Sequence, residues 1–308
     1  MTLAIETERL TKRFGSVTAI DDLSLSVPSG TVYGYLGPNG AGKSTTIDIL
    51  LDLVRPSDGT ARVFGYDTQA SPVAAREQIG VLLDGFKPYP AITGREHVEL
   101  AATARGVSTD PATVLARVGL EHAVDQPAGE YSKGMTKRLG LAMALVGDPD
   151  LLILDEPSTG LDPHGIVTMR ELIRTEVDRG ATVFFSSHLL DQVEAVADRV
   201  AIINDGSLLV EDSVESLKSE LEDGTTVKIR IEDPASDQLP ELQANIDPLE
   251  TVNSVRIEGR TLIARCRSQA ATATVVSAVE ESQAAIDTYE VEQPSLEDIF
   301  KTHTDGDE

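Results

Sequence analysis

GPNGAGKST, residues 37–45, decides how this chain folds. Gly37, four residues, then Gly42-Lys43-Ser44 is the spacing of a phosphate-binding P-loop. A loop that wraps a triphosphate needs backbone N–H groups pointing inward, and glycines allow the close approach and unusual dihedrals this requires. In such a loop Lys43 reaches the β- and γ-phosphates and the Ser44 hydroxyl ligates Mg2+. The flanks fit: TVYGYLG before the loop reads as a buried strand and STTIDILLDL after it as a helix. That helix should begin near Gly42 with its positive end under the phosphates.

Working outward, ERLTKRFG and AIDDLSLSVPSG read as strands before the loop and ARVFGYD as one after it. Residues 94–147 read as helical, in GREHVELAATARG, PATVLARVGL and KGMTKRLGLAMALVG. From 149 the pattern is strand, helix, strand: LLILDEP, a helix from Pro163 to Arg179, then TVFFSSH. A short helix, LLDQVEAVAD, precedes a hairpin in which VAIIN and SLLVED flank Asp205-Gly206, a strong two-residue turn signal. Alternating strands and helices of this kind predict a largely parallel sheet with flanking helices. A break is expected at ESLKSELEDG, residues 215–224. Beyond it TVKIRIED, SVRIEG and RTLIARCRS alternate with period two, the helix ATATVVSAVEESQA follows, and an acidic tail closes the chain. The domains expected are thus 1–215, with a helical subdomain over about 86–147, and a small α+β appendage over 225–304.

Composition bounds the function. The 308 residues carry 51 Asp+Glu against 26 Lys+Arg, a formal net charge of −25. That balance speaks against a nucleic-acid surface, which needs a basic patch. High acid, scarce lysine and few aromatics on a globular sequence point to a protein from a halophile, since concentrated salt screens the self-repulsion such a charge creates. The lone cysteine, Cys266, excludes an internal disulfide and fits a reducing compartment. The start, MTLAIETERLTKRF, lacks the apolar core of a signal peptide, and no run approaches eighteen apolar residues, so work at a membrane would require docking on a partner.

A second constellation lies in LLILDEP, residues 151–157. A buried strand ending in Asp155 and Glu156 places both acids at the carboxyl edge of the sheet, where α/β sites form. Asp155 suits a Mg2+ ligand, direct or through water; Glu156 suits a general base or an orienter of the attacking water. Between P-loop and acid pair, YSKGM (131–135) opens a helix with Ser132 as a good N-cap, whose hydroxyl could instead face an anion.

With these motifs in order, followed by STGLD (158–162) and SSH (186–188), residues 1 to about 215 resemble the ATP-binding subunit of an ABC transporter. YSKGM in the signature position and a C-terminal extension closing in PSLEDIF resemble exporters of the ABC-2 kind. The resemblance implies a fold: a P-loop NTPase of the ABC ATPase type, α/β with a mixed sheet and a helical subdomain. It also implies a mechanism, in which two subunits, a homodimer by preference, sandwich two ATP molecules. Gly37, Pro38, Asn39, Gly40, Ala41, Gly42, Lys43, Ser44 and Thr45 then hold one nucleotide, and Ser132 and Gly134 reach its γ-phosphate from the opposite subunit. Phe14 matches the aromatic that stacks on adenine, its alternative being core packing. His188 matches the histidine that bridges Glu156, γ-phosphate and water. Asp162 matches an acid at the dimer interface and is equally an N-cap for the next helix. His97, His122, His164 and His303 match no family position and are expected on the surface or on helices. The family carries Gln, sometimes Glu, after the strand IGVLL; here that place is Asp84, which can still offer an oxygen to Mg2+. GFKPYPAITGREHVEL would receive an integral-membrane subunit of ABC-2 type, placing the protein at the cytoplasmic face of a membrane.

Overall fold

The computed structural model describes residues 2–220, 225–232, 238–282 and 284–292. The chain divides into two compact units, Met1–Ser213 and Val214–Glu308.

The first unit opens with a long hairpin, β1 (Leu3–Phe14) and β2 (Val17–Pro28), followed by β3 (Val32–Leu36) and the P-loop helix α1 (Lys43–Leu50). β4 (Asp58–Val63), β5 (Tyr66–Asp67), α2 (Pro72–Glu77) and β6 (Ile79–Leu82) lead to the helical segment α3 (Gly94–Arg105), α4 (Pro111–Arg117) and α5 (Lys133–Leu145). Then come β7 (Leu151–Leu154), α6 (Pro163–Asp178), β8 (Thr182–Ser187), α7 (Leu190–Glu194), β9 (Arg199–Asn204) and β10 (Ser207–Ser213). Two sheets result. One is antiparallel, in the order β2-β1-β4-β5; the other runs β10-β9-β3-β8-β7-β6. In the second, β9, β3, β8, β7 and β6 pair in parallel and only β10 is antiparallel.

The sequence explains this division. Every residue of β3, β7 and β8 is buried, as expected of parallel strands covered on both faces. β1 and β2 instead alternate, sending Leu10, Leu23, Leu25 and Val27 into a core shared with Ile47, Ile49 and Leu50 of α1 and Tyr35, Ile153, Phe184 and Ile203 of the parallel sheet. α1 is therefore gripped between two sheets, which fixes where its N-terminus points. The β9–β10 turn has the geometry its sequence predicted, with Asp205 at φ 45° and Gly206 at φ 81°.

The second unit begins with α8 (Val214–Glu220), helical where the sequence suggested a break. β11 (Thr225–Ile231), α9 (Gln238–Ile246), β12 (Val252–Glu258), β13 (Thr261–Cys266), α10 (Gln269–Glu281) and β14 (Ile286–Glu292) follow. Its sheet is antiparallel, ordered β12-β13-β11-β14, and one core of Val227, Ile229, Leu242, Ile246, Leu262, Ala264 and Val275 joins sheet and helices. Sequence reading missed α9 and β14. PSLEDIF, the acidic tail and His303 lie outside the described residues.

Candidate nucleotide site

The P-loop wraps the mouth of a cavity of about 230 Å3 lined by Ala19, Asn39, Gly40, Gly42, Lys43, Ser44, Thr45, Asp84 and Glu156. Gly42 is the N-cap of α1 at φ 104°, and a Cβ there would meet the Ala19 carbonyl oxygen at 2.5 Å, so both dihedral and space demand glycine. The first helical bond runs from Thr46 N–H to Gly42 O, 2.9 Å. The N–H groups that precede it lie at the positive end of the helix and face the loop, the arrangement that attracts an anion. Lys43 Nζ donates to the carbonyls of Gly37 (2.7 Å) and Pro38 (3.2 Å) and lies 3.6 Å from Glu156 Oε1. Its side chain is buried, so these three oxygens hold a desolvated ammonium that phosphate oxygens could claim.

The carboxyl edge of the parallel sheet brings the other groups to the same place. Asp155, buried at the end of β7, accepts from Ser44 Oγ (3.1 Å) and from Ser186 Oγ on β8. Glu156 follows at φ 46°, an uncommon conformation for a residue with a side chain, of the kind that concentrates at functional sites. Its N–H donates to Ser186 Oγ at 3.0 Å, and its Oε2 lies 2.9 Å from His188 Nδ1. Ser186 thus fixes both acids from one hydroxyl. SSH in the sequence points to His188 alone; that Ser186 orients its neighbours depends on strand pairing and carries no sequence signal.

The donor set suits a Mg2+ that arrives with a nucleotide. Ser44 Oγ and Asp155 Oδ2 are adjacent, and Asp84 lines the same cavity. These are hard oxygens of the kind Mg2+ prefers, too few to complete its shell, so phosphate and water would have to supply the remaining ligands. Asp84, exposed after β6, pairs at 3.7 Å with Lys137 Nζ of α5. Burial pulls the Lys137 ammonium below the ordinary lysine value, while Asp84, Asp155 and Glu156 hold it up against that.

Nine expected residues are not in this lining: Gly37, Pro38 and Ala41 of the loop, Asp155 and His188, which bond to the lining residues Ser44 and Glu156, and Phe14, Ser132, Gly134 and Asp162. Phe14, at the tip of the β1–β2 hairpin, is 49% exposed, which rules out core packing; Lys12 Nζ sits 4.7 Å from its ring centroid. Ser132 caps α5, its Oγ accepting from Met135 N–H at 3.2 Å. Gly134 follows in the first turn, where an added Cβ would meet nothing nearer than 3.9 Å. Asp162 caps α6, accepting from Gly165 N–H at 2.7 Å. His122 and His164 are exposed, but His97 is not a surface residue: it is 1% exposed on α3. Its Nε2 accepts from Tyr89 N–H (3.0 Å) and its Nδ1 donates to Thr93 O (2.7 Å), which pins the loop entering α3.

Comparison with known proteins agrees with this geometry. Residues 20–159 match the ABC transporter family, and residues 211–304 match the C-terminal domain of ATP-binding proteins like DrrA1-3. The daunorubicin/doxorubicin resistance ATP-binding protein DrrA of Streptomyces peucetius is 41% identical over 240 residues, 76% of this chain and 72% of its own length. The chain belongs to the ABC transporter ATP-binding proteins. Its likeness to the daunorubicin resistance ATP-binding protein DrrA3 of Streptomyces coeruleorubidus, 33% identical, spans 99% of this chain and 96% of that one, so the second unit is shared as well. A solved ATP-binding subunit of an ABC transporter superimposes with a TM-score of 0.66 at 28% identity, covering 71% of this chain and 93% of that chain. As a member of this family the chain binds ATP and is an ATPase with a P-loop NTPase fold.

Proposed function

We propose that this ABC ATPase powers export through a separate membrane subunit of ABC-2 type, working as a homodimer at the cytoplasmic face of the membrane. The observation that carries the catalytic part is the convergence of three segments distant in sequence on one cavity: Lys43 and Glu156 line it, Asp155 bonds Ser44 of its lining, and His188 bonds Glu156. The export part rests on relatives named for drug resistance and for bacitracin transport. No helix among the described residues is long and apolar enough to cross a membrane; in this reading the path for cargo lies in the membrane subunit.

In this reading the loop 37–45 and the N-terminus of α1 take the β- and γ-phosphates. Lys43 exchanges its carbonyl contacts for phosphate oxygens. Mg2+, held by Ser44, Asp155 and Asp84, would neutralise charge that develops on the phosphates. Glu156 takes the proton from the attacking water, and His188 holds that carboxylate toward the γ-phosphate. Ser132 and Gly134 offer the N-terminus of α5 to the nucleotide of the opposite subunit, and Asp162 lies at that interface. The empty space around Gly134 supports this, since nothing in its own unit requires glycine there. The functional domains are 1–215 and 225–304, and the strongly acidic chain is adapted to concentrated salt.

Lys43→Ala tests the phosphate site. Removing the only buried cation of the loop should weaken ATP binding about tenfold to a hundredfold, the scale of one or two charge-assisted hydrogen bonds. Retained affinity would count against the role of the loop. Phe14→Ala should raise the Kd for ATP about tenfold, since stacking a base on an aromatic ring is worth about 1–3 kcal/mol; unchanged affinity would leave Phe14 without a ligand. The halophilic reading predicts that the unfolding midpoint rises steadily between dilute buffer and molar KCl. The export reading predicts that the protein, isolated from membranes in mild detergent, carries an integral-membrane protein with it.

A further inference from the structure

Lys137 carries a charge into the metal side of the nucleotide site from a helix that serves a different purpose. It stands on α5, five residues beyond the N-cap Ser132. Its side chain lines an apolar crevice together with Leu82, Leu141, Pro157, Leu161 and Met169. Its side chain is 12% exposed, and the ammonium lies 3.7 Å from Asp84 Oδ1. Asp155 and Glu156 are its other charged neighbours. A long cationic side chain commonly buries its stem and keeps its head polar, but here the head meets carboxylates and not open water.

We propose that Lys137 is a positioning residue that holds Asp84 as its counter-ion in the absence of nucleotide and gives it up when Mg-ATP enters, so that the metal of one site and the signature helix contributed to the other compete for a single carboxylate. This rests on the reading of Ser44, Asp84 and Asp155 as the side that faces Mg2+. A glutamine in place of Asp84 would be neutral and longer, and would bind a lysine only weakly; the aspartate at this position makes the pairing possible. The same carboxylate cannot satisfy an ammonium and a divalent cation equally, because the two cations repel at short range. Entry of Mg2+ therefore loosens an ionic tie between α5 and the Asp84 loop.

The test measures how strongly Mg2+ and nucleotide favour one another. The Kd of a fluorescent ribose-labelled ADP is measured with saturating Mg2+ and with EDTA, and the ratio of the two values is compared between variants. This ratio does not depend on how much of a preparation is folded. Lys137→Gln should increase the Mg2+ preference about fivefold to tenfold, the scale in water of the attraction between Asp84 and an ammonium 3.7 Å away that Mg2+ no longer has to break. Lys137→Arg, which keeps the charge, should restore the original ratio. Asp84→Asn should reduce the preference, and in that background Lys137→Gln should shift it much less. If Asp84→Asn acts but Lys137→Gln leaves the ratio unchanged, the competition does not exist and the Mg2+ site stands. If neither substitution moves the ratio, the placement of Mg2+ beside Asp84 fails as well.

Discussion

Glu156→Gln should abolish turnover while leaving ATP bound. Glutamine keeps the length and one acceptor oxygen of the side chain but cannot take a proton, so hydrolysis should fall about a hundredfold to ten-thousandfold, the contribution of a positioned general base. The backbone geometry should survive, because Ser186 holds the Glu156 N–H and not its carboxylate. Binding should be retained or tightened: among the described residues Oε1, at 3.6 Å, is the only anionic partner of Lys43, and neutralising it frees that ammonium for phosphate. Size-exclusion chromatography in molar KCl, with and without Mg-ATP, then reads the second half of the expectation, an ATP-dependent shift from monomer to dimer. Normal turnover would remove Glu156 from its role. A monomer that holds ATP would shift the limit on closure to Asp84 or to a different partner subunit.

The second large effect concerns how the helical segment is fastened to the sheet. Glu176 of α6 is 1% exposed, and its carboxylate accepts from Arg117 Nη2 of α4 (2.6 Å) and Arg179 Nε (3.0 Å). Arg117 also bonds Asp148 at 2.8 Å, so one guanidinium ties α4 to both the β7 approach and α6. Replacing Arg117 and Arg179 together by leucine strands a buried carboxylate, which costs about 3–5 kcal/mol. For a unit of this size that lowers the unfolding midpoint by roughly 6–20 °C. Adding Glu176→Leu should recover most of the loss, because an apolar cluster of similar volume replaces a buried ionic one at little net cost. Failure of the triple variant to recover would mean that packing of the arginine stems, and not the stranded charge, carries the stability.

What could be read from the sequence was whatever is local. Nine contiguous residues specify the P-loop, because its chemistry depends on backbone N–H groups in order. The acids after LLIL were legible because a strand buried on both faces has one recognisable end. The turn at Asp205-Gly206 was legible because few residues tolerate two positive φ angles in a row. The partners of those groups were not legible. Ser186 reaches Asp155 across 31 positions and Arg117 reaches Glu176 across 59, and only folding brings either pair together. His97 looked like an ordinary helical residue because its burial is decided by an N–H in the preceding loop. β14 escaped for a different reason. It is largely exposed, and its pairing with β11 shifts register between Arg230 and Ile231, which breaks the alternation that would have announced a strand. α8 has few apolar residues and was read as a boundary.

The turn between β9 and β10 reaches further than its two residues suggest. Gly206 N–H donates to Ala41 O (3.1 Å) and Gly206 O accepts from Asp21 N–H (2.9 Å), so the hairpin buttresses the P-loop from behind. β10 then runs directly into Val214, the first residue of the second unit. A shortened chain intended to isolate the ATPase must therefore keep everything through Ser213. Cutting at the apparent end of the parallel strands, after Asn204, would remove the strut behind Ala41 and produce a protein whose failure to bind nucleotide would be mistaken for a requirement for the missing C-terminal unit.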